Sequence, residues 1–114
     1  METASLVLFA LAALGGVTLA AFHFTGRERP LSLGVIHGLA AAIGLVLLVL
    51  MVLNAPSAGR GGVALGLFVA AALGGFVLLA RHLRKQPWPT GLVLLHGALA
   101  VTGFVLLLLW TLGQ

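Results

Sequence analysis

Histidine is the residue type in this chain whose chemistry and spacing most clearly suggest a binding site. The 114-residue sequence has four histidines, two acidic residues and no cysteine. His23 and His82 lie 59 positions apart, and so do His37 and His96. Imidazole is the commonest metal ligand in proteins and an axial ligand of haem iron. The histidines are therefore the first candidates for holding a cofactor.

The same offset of 59 positions aligns the two halves of the chain. Residues 4–55 match residues 63–114 without a gap, and twenty-two of the 52 aligned pairs are identical. The identical pairs include all four histidines, two prolines and a Gly-Gly pair in each half. Self-similarity at a fixed spacing indicates an internal repeat, and we expect residues 54–62 to link its two copies.

The composition is that of a membrane protein. The chain is 61% hydrophobic and 7% charged, with a mean hydropathy of +1.24. Each of its four apolar stretches has about 20 residues, the length that crosses a hydrocarbon core of about 30 Å. They cover residues 5–24, 31–53, 63–83 and 90–112. These features predict an all-α membrane protein with a single membrane domain, 1–114. The N-terminus lacks the basic segment of a signal peptide, so we expect the first stretch to be retained.

The basic residues indicate an orientation in the membrane. Five of the six lie around the first and third connectors: Arg27, Arg29, Arg81, Arg84 and Lys85. The positive-inside rule then places connectors 25–31 and 84–90 in the cytoplasm and both termini outside, in the inner (plasma) membrane of a bacterium. The high isoelectric point reflects this topology, so we expect no nucleic-acid partner. Each half of the chain would then form one helical hairpin, and the two hairpins would have the same orientation. This predicts an up-down four-helix bundle of two parallel tandem repeats.

Two histidines are expected to meet inside this bundle. His37 and His96 each follow a proline by seven residues, which places them on the order of 10 Å into the membrane. Helices on a bundle diagonal are roughly 12–14 Å apart, a gap that suits two imidazoles with an iron between them. We therefore predict that His37 and His96 ligate haem b. Gly44 and Gly103 would leave a flat slot beside them, and four arginines are candidates for the propionate charges: Arg27, Arg29, Arg81 and Arg84.

The other two histidines, His23 and His82, have several possible roles. They lie nearer the cytoplasmic ends of their helices, where they would contact propionates, form a second ligand pair or lie at the headgroup level. Pairing His23 with His96 and His37 with His82 would instead hold two haems. Zinc or copper is a weaker prediction, because no carboxylate in the spans is available to orient the imidazole rings.

A chain with four spans and histidines inside the bundle resembles the small b-type cytochromes, whose helical bundles hold haem between histidines. The resemblance implies electron transfer, with quinone, other membrane subunits or a second copy of the chain as partners in the lipid bilayer. Those proteins commonly stack two haems across the membrane, whereas all four histidines here lie in the cytoplasmic half. We therefore expect an electron relay near one surface, or a haem-bearing subunit of a larger redox complex.

Two other functions fit the sequence. A cofactor-free structural subunit of a respiratory or photosynthetic complex would need only the apolar helices and short loops. A subunit that binds (bacterio)chlorophyll would need one imidazole for each magnesium. The spans contain no carboxylate that could exchange protons for a drug. Since the sequence also has no Ser-His-Asp set or phosphate loop, we expect no independent catalytic activity.

Overall fold

The computed structural model describes residues 1–114 and consists of four long helices. They are α1 (Glu2–Phe24), α2 (Leu31–Asn54), α3 (Gly59–Leu83) and α4 (Thr90–Leu112). Each has 23 to 25 residues, which at 1.5 Å per residue gives about 35 Å. This confirms the prediction of an all-α fold whose four helices are long and apolar enough to cross a membrane.

The surface of the molecule is apolar. Only 15 of the 114 residues are buried, and large side chains such as Leu14 and Leu53 are 67% and 75% exposed. A soluble protein rarely exposes a continuous apolar surface of this extent. The four helices, in a molecule measuring 45 × 22 × 20 Å, therefore indicate a multi-pass membrane protein in a lipid bilayer.

The connectors after α1 and α3 have matching backbones. Gly26 and Lys85, which occupy equivalent positions in the two halves, both have left-handed φ angles of 68° and 53°. A left-handed residue after a helix allows the chain to turn and satisfy the last carbonyl groups. Pro30 and Pro89 then lie at the N-caps of α2 and α4 with φ angles of −63° and −64°. Both connectors therefore reverse the chain in the same way.

The segment that links α2 to α3 is shorter than the expected 54–62. Helix α2 continues to Asn54, and α3 already begins at Gly59. Gly61 is buried against the indole of Trp110, where an added Cβ atom would lie 2.6 Å from the ring. Gly61 therefore serves close packing in the first turn of α3.

Packing differs between the two halves of the bundle. Helix α1 packs mainly on α2 and α3 mainly on α4, whereas the two hairpins contact each other less extensively. At the end that holds the termini, the rings of Phe9 and Phe68 stack between the hairpins with centroids 3.8 Å apart. They belong to a buried apolar cluster that also contains Leu48, Met51, Ala64 and Leu107. The half nearer the 25–31 and 84–90 connectors contains a cavity instead.

Candidate functional site

His37 of α2 and His96 of α4 face each other across the interface between the hairpins. Their ring centroids are 6.0 Å apart and their ring planes are at 77°. Both side chains are half-buried. The structure therefore brings together the two histidines that were predicted to meet.

A backbone carbonyl fixes the tautomer of each of these imidazoles. His37 Nδ1 donates to the carbonyl oxygen of Ala12 at 2.6 Å, and His96 Nδ1 donates to that of Ala71 at 2.7 Å. Because a carbonyl oxygen can only accept, Nδ1 carries the proton and Nε2 keeps a lone pair. Metal-binding histidines are held in this way, with the second ring nitrogen donating to a carbonyl or carboxylate.

Two glycines provide the space that these rings occupy. A Cβ atom added at Gly16 would lie 3.0 Å from His37 Cε1, and one at Gly75 would lie 3.1 Å from His96 Cε1. These distances are tighter than ordinary van der Waals contact. Each imidazole is therefore held between a carbonyl on one turn of the neighbouring helix and a glycine on the next turn.

A cavity of about 200 Å³ connects the two imidazoles to the connector end of the bundle. Its lining includes His37, His96, His82 and Trp88, but no aspartate, glutamate, lysine or arginine. The α3 residues that line the cavity extend from Gly75 to His82, a separation of seven residues or about 10 Å along the helix. The site is therefore an apolar slot along the bundle with a few imidazoles and one indole in its walls.

His23 lies outside this cavity, and both of its ring nitrogens are engaged. Arg29 Nη1 donates to His23 Nδ1 at 3.5 Å, which leaves the His23 proton on Nε2. Nε2 then donates to Thr90 Oγ1 at 3.2 Å. In this arrangement His23 has no free lone pair for a metal ion.

His82 is placed differently from His23, its counterpart in the first half of the chain. It lines the cavity and is half-buried. Neither of its ring nitrogens makes a hydrogen bond, and its nearest aromatic neighbour is Trp88, at 6.3 Å between ring centroids. His82 is therefore free to bind a ligand.

Arg29 packs on Trp88, which lines the slot at its connector end. These residues occupy equivalent positions in the two halves, and the guanidinium carbon of Arg29 lies 3.9 Å from the centre of the Trp88 ring. The indole N–H of Trp88 donates to the carbonyl of Leu78 at 2.9 Å. Arg29 Nε is buried without a hydrogen-bond partner, an uncommon situation for a polar atom. This group needs an acceptor that the protein itself does not provide.

The remaining predicted site residues lie elsewhere. Arg27 and Arg84 are exposed, and Arg81 donates to the backbone carbonyl of Pro87 at 3.0 Å. Gly44 and Gly103 are buried against the rings of Phe9 and Phe68, where an added Cβ atom would lie 3.3 Å from ring carbons. They are outside the cavity lining and belong to the apolar half of the bundle.

Sequence reasoning missed three parts of the site. It assigned Trp88 no part in the site, and it selected Gly44 and Gly103 where the structure places Gly16 and Gly75 beside the imidazoles. It also did not foresee the carbonyl partners on α1 and α3. The Gly-Gly pair present in both halves was a usable signal for the glycines. The carbonyl partners have no signal in the sequence, because every residue has a carbonyl.

No group of three or more histidine, cysteine, aspartate or glutamate side chains comes close enough to hold a metal ion. The candidate site therefore offers two facing imidazoles rather than a cluster. No known protein family, curated protein or solved structure matches this chain.

Proposed function

We propose that the chain is a membrane haem b protein in which His37 and His96 are the axial ligands of one iron. The main support is the pair of facing imidazoles with bound Nδ1–H groups and free Nε2 atoms. Each metal–nitrogen bond is about 2 Å long, and each ring centre lies about 1 Å beyond its nitrogen. The centres of two axial rings are therefore roughly 6 Å apart. The observed centroid distance of 6.0 Å agrees with this requirement.

The number of protein ligands favours a macrocycle over a bare ion. A zinc site normally uses three or four protein ligands, whereas only two imidazoles meet here. In a b-type haem the porphyrin supplies the other nitrogens, so two axial histidines complete the coordination. The donor set therefore suits haem better than zinc or copper.

The weak contact between the hairpins supports a planar ligand at this position. The cavity of about 200 Å³ is smaller than the roughly 300–1,000 Å³ of typical ligand pockets. Haem binding therefore requires the helices beside the imidazoles to separate around the macrocycle while His37 and His96 keep their spacing. Because the two hairpins share fewer contacts with each other than the helices share within each hairpin, such a change loses little packing.

Arg29 Nε, which is buried without a hydrogen-bond partner, favours a cofactor that carries carboxylates. Haem b has two propionates, and charge-assisted hydrogen bonds from arginine to carboxylates are among the stronger ones in proteins. Arg29 is the predicted propionate partner that lies beside the cavity, and His23 helps to hold it there. The free carboxylates of haem match this arginine better than the esterified groups of a chlorophyll.

One haem suits the site better than two. Two haems would need His23 as a ligand, but its Nδ1 accepts from Arg29 and its Nε2 donates to Thr90. The proposed protein is therefore a one-haem relay near one membrane surface. Haem supplies one-electron redox chemistry, while the chain binds and orients it and provides no catalytic group of its own. Other membrane subunits, quinone or a second copy of the chain would be its partners.

For the whole chain we propose an up-down bundle of two parallel hairpin repeats, 4–55 and 63–114. Equivalent residues meet between the hairpins in three places: Phe9 with Phe68, His37 with His96, and Arg29 with Trp88. Such self-pairing is expected if the repeats are related by a two-fold axis along the bundle. The proposed orientation has the connectors 25–31 and 84–90 in the cytoplasm of a bacterium and both termini outside.

The absorbance spectrum of the purified protein tests haem binding. We expect Soret and α bands after expression with ample haem, and loss of these bands in the double variant His37→Leu, His96→Leu. The matched control is His82→Leu, which removes an imidazole of the same cavity and should retain the bands. Extraction of the pigment distinguishes protohaem from bacteriochlorophyll.

The rival function, a cofactor-free structural subunit, predicts a different result. Wild-type protein would then show no Soret band, and the double variant would assemble with its partners like the wild type. Either a colourless wild type or a double variant with unchanged haem bands contradicts the haem proposal.

A further inference from the structure

The second hairpin carries positive charge that no acidic residue of the same hairpin balances. Three basic residues, which we call the basic patch, lie at the end of α3 and in the connector before α4: Arg81, Arg84 and Lys85. The two acidic residues of the chain, Glu2 and Glu28, both belong to the first hairpin. Arg81 donates to a backbone carbonyl, whereas Arg84 and Lys85 are exposed. The patch is therefore suited to an anionic partner from outside the chain.

The backbone at Lys85 indicates that its side chain has a role beyond the turn. Lys85 has a φ angle of 53°, and Gly26, at the equivalent position of the first hairpin, has one of 68°. Glycine adopts this left-handed conformation readily, whereas a residue with a Cβ atom does so at a cost. Such strain is commonly found where a side chain serves a function. A glycine would suit this turn better, so the ammonium group is what the lysine adds.

An exposed apolar surface of α3 adjoins the basic patch. Leu73, Phe76 and Leu83 lie on the same side of the helix and are 63%, 67% and 62% exposed. From Leu73 to Leu83 the helix rises about 15 Å. A ligand that covers both the patch and this surface needs an anionic group at one end and a long apolar chain. A phospholipid has both parts, whereas free phosphate lacks the chain and the acidic surface of a soluble protein lacks the apolar part.

We propose that the basic patch binds the phosphate of an anionic phospholipid whose acyl chains lie along Leu73, Phe76 and Leu83. Basic clusters beside the ends of membrane helices attract anionic headgroups, and each basic residue contributes roughly fivefold in affinity. Arg84 and Lys85 are not part of the cavity lining. The lipid and haem therefore do not compete, and the proposal goes beyond the proposed function.

Native mass spectrometry of the purified full-length chain in detergent tests this surface. Phosphatidylglycerol should be retained in preference to phosphatidylcholine with the same acyl chains. Lys85→Gly should lower the affinity for phosphatidylglycerol about fivefold. Its free energy of unfolding should not fall, because glycine fits the left-handed turn. Lys85→Arg should keep the wild-type affinity. Arg60→Gln, at an exposed position in the first turn of the same helix, is the matched control and should also keep it.

The outcomes separate lipid binding from folding and from haem binding. Equal retention of the two lipids by the wild type overturns the proposal, and so does an unchanged affinity in Lys85→Gly. A lower free energy of unfolding in Lys85→Gly also overturns it, because the lysine would then act through the fold. Tighter binding of inorganic phosphate or of a poly-glutamate peptide than of the lipid would identify a different partner. A wild type that prefers phosphatidylglycerol but shows no Soret band supports the lipid surface and contradicts the haem proposal.

Discussion

At the scale of single residues, the proposed ligand role of His37 and His96 depends on groups on the neighbouring helix. A carbonyl holds each Nδ1–H, and Gly16 or Gly75 leaves room for the Cε1 edge. Fixing the tautomer and the rotamer before a metal arrives reduces the entropy that binding would otherwise lose. The glycines are therefore as much a part of the site as the imidazoles.

Gly75→Ala tests this role of the glycine. Its added methyl group would lie 3.1 Å from His96 Cε1, and displacing a packed side chain typically costs about 1–3 kcal/mol. We expect haem affinity, measured by titrating haem into the apo-protein, to fall about tenfold. Gly66→Ala on the same helix is the control, because its added methyl group meets no atom within 4 Å. Equal affinities for the two variants would contradict the role assigned to Gly75.

At the scale of helices, the two ends of the bundle have different tasks. At the end that holds the termini, Ser5 Oγ donates to the Gly44 carbonyl at 3.2 Å, and the stacked Phe9 and Phe68 rings join α1 to α3. Association of membrane helices depends on such close packing and on interhelical hydrogen bonds, because lipid is as apolar as the side chains. The Phe9–Phe68 stack therefore joins the two hairpins at the apolar end, and the other end contains the slot proposed for haem.

Phe68→Ala tests the stabilising role of the apolar end. Removing a buried aromatic ring costs about 3 kcal/mol or more in well-packed interiors. We expect a corresponding loss in the free energy of unfolding, measured by titration with a denaturing detergent. The control is Phe76→Ala on the same helix, where the ring is 67% exposed, and its effect should be small. Similar losses for both variants would show that the stack does not hold the hairpins together.

At the scale of the whole molecule, the distribution of charge and apolar surface determines how the chain lies in the membrane. Glu2 is the acidic residue near the termini, whereas five of the six basic residues surround the two hairpin connectors. The exposed helix surfaces between these ends are apolar. This arrangement leads to the proposed orientation, in which the cavity proposed for haem lies nearer the cytoplasmic surface.

Cysteine labelling tests the orientation, because the chain has no cysteine of its own. Ser57→Cys lies in the link between α2 and α3, and Gln86→Cys lies in the connector before α4. Both positions are exposed. In intact cells a membrane-impermeant maleimide should label position 57, and it should label position 86 only after permeabilisation. The reverse pattern would contradict the proposed topology.

The sequence by itself determined the four spans and the turns between them. Apolar stretches of about 20 residues leave few alternatives to membrane helices, and Gly26, Pro30 and Pro89 mark where the hairpins turn. The equal depth of His37 and His96 was predictable from their equal distance to a proline. Gly61, which belongs to the expected linker 54–62, lies in the first turn of α3 against Trp110, because glycine also serves close helix packing.

Only the tertiary structure decided which groups meet inside the bundle. It placed carbonyl groups of α1 and α3 on the histidines, Arg29 over Trp88, and Gly44 against Phe9. It also gave His23 and His82 different surroundings although they occupy equivalent positions. The physical reason is that these contacts depend on the rotation and separation of packed helices. A nearly uniform apolar sequence does not encode these quantities in any local pattern.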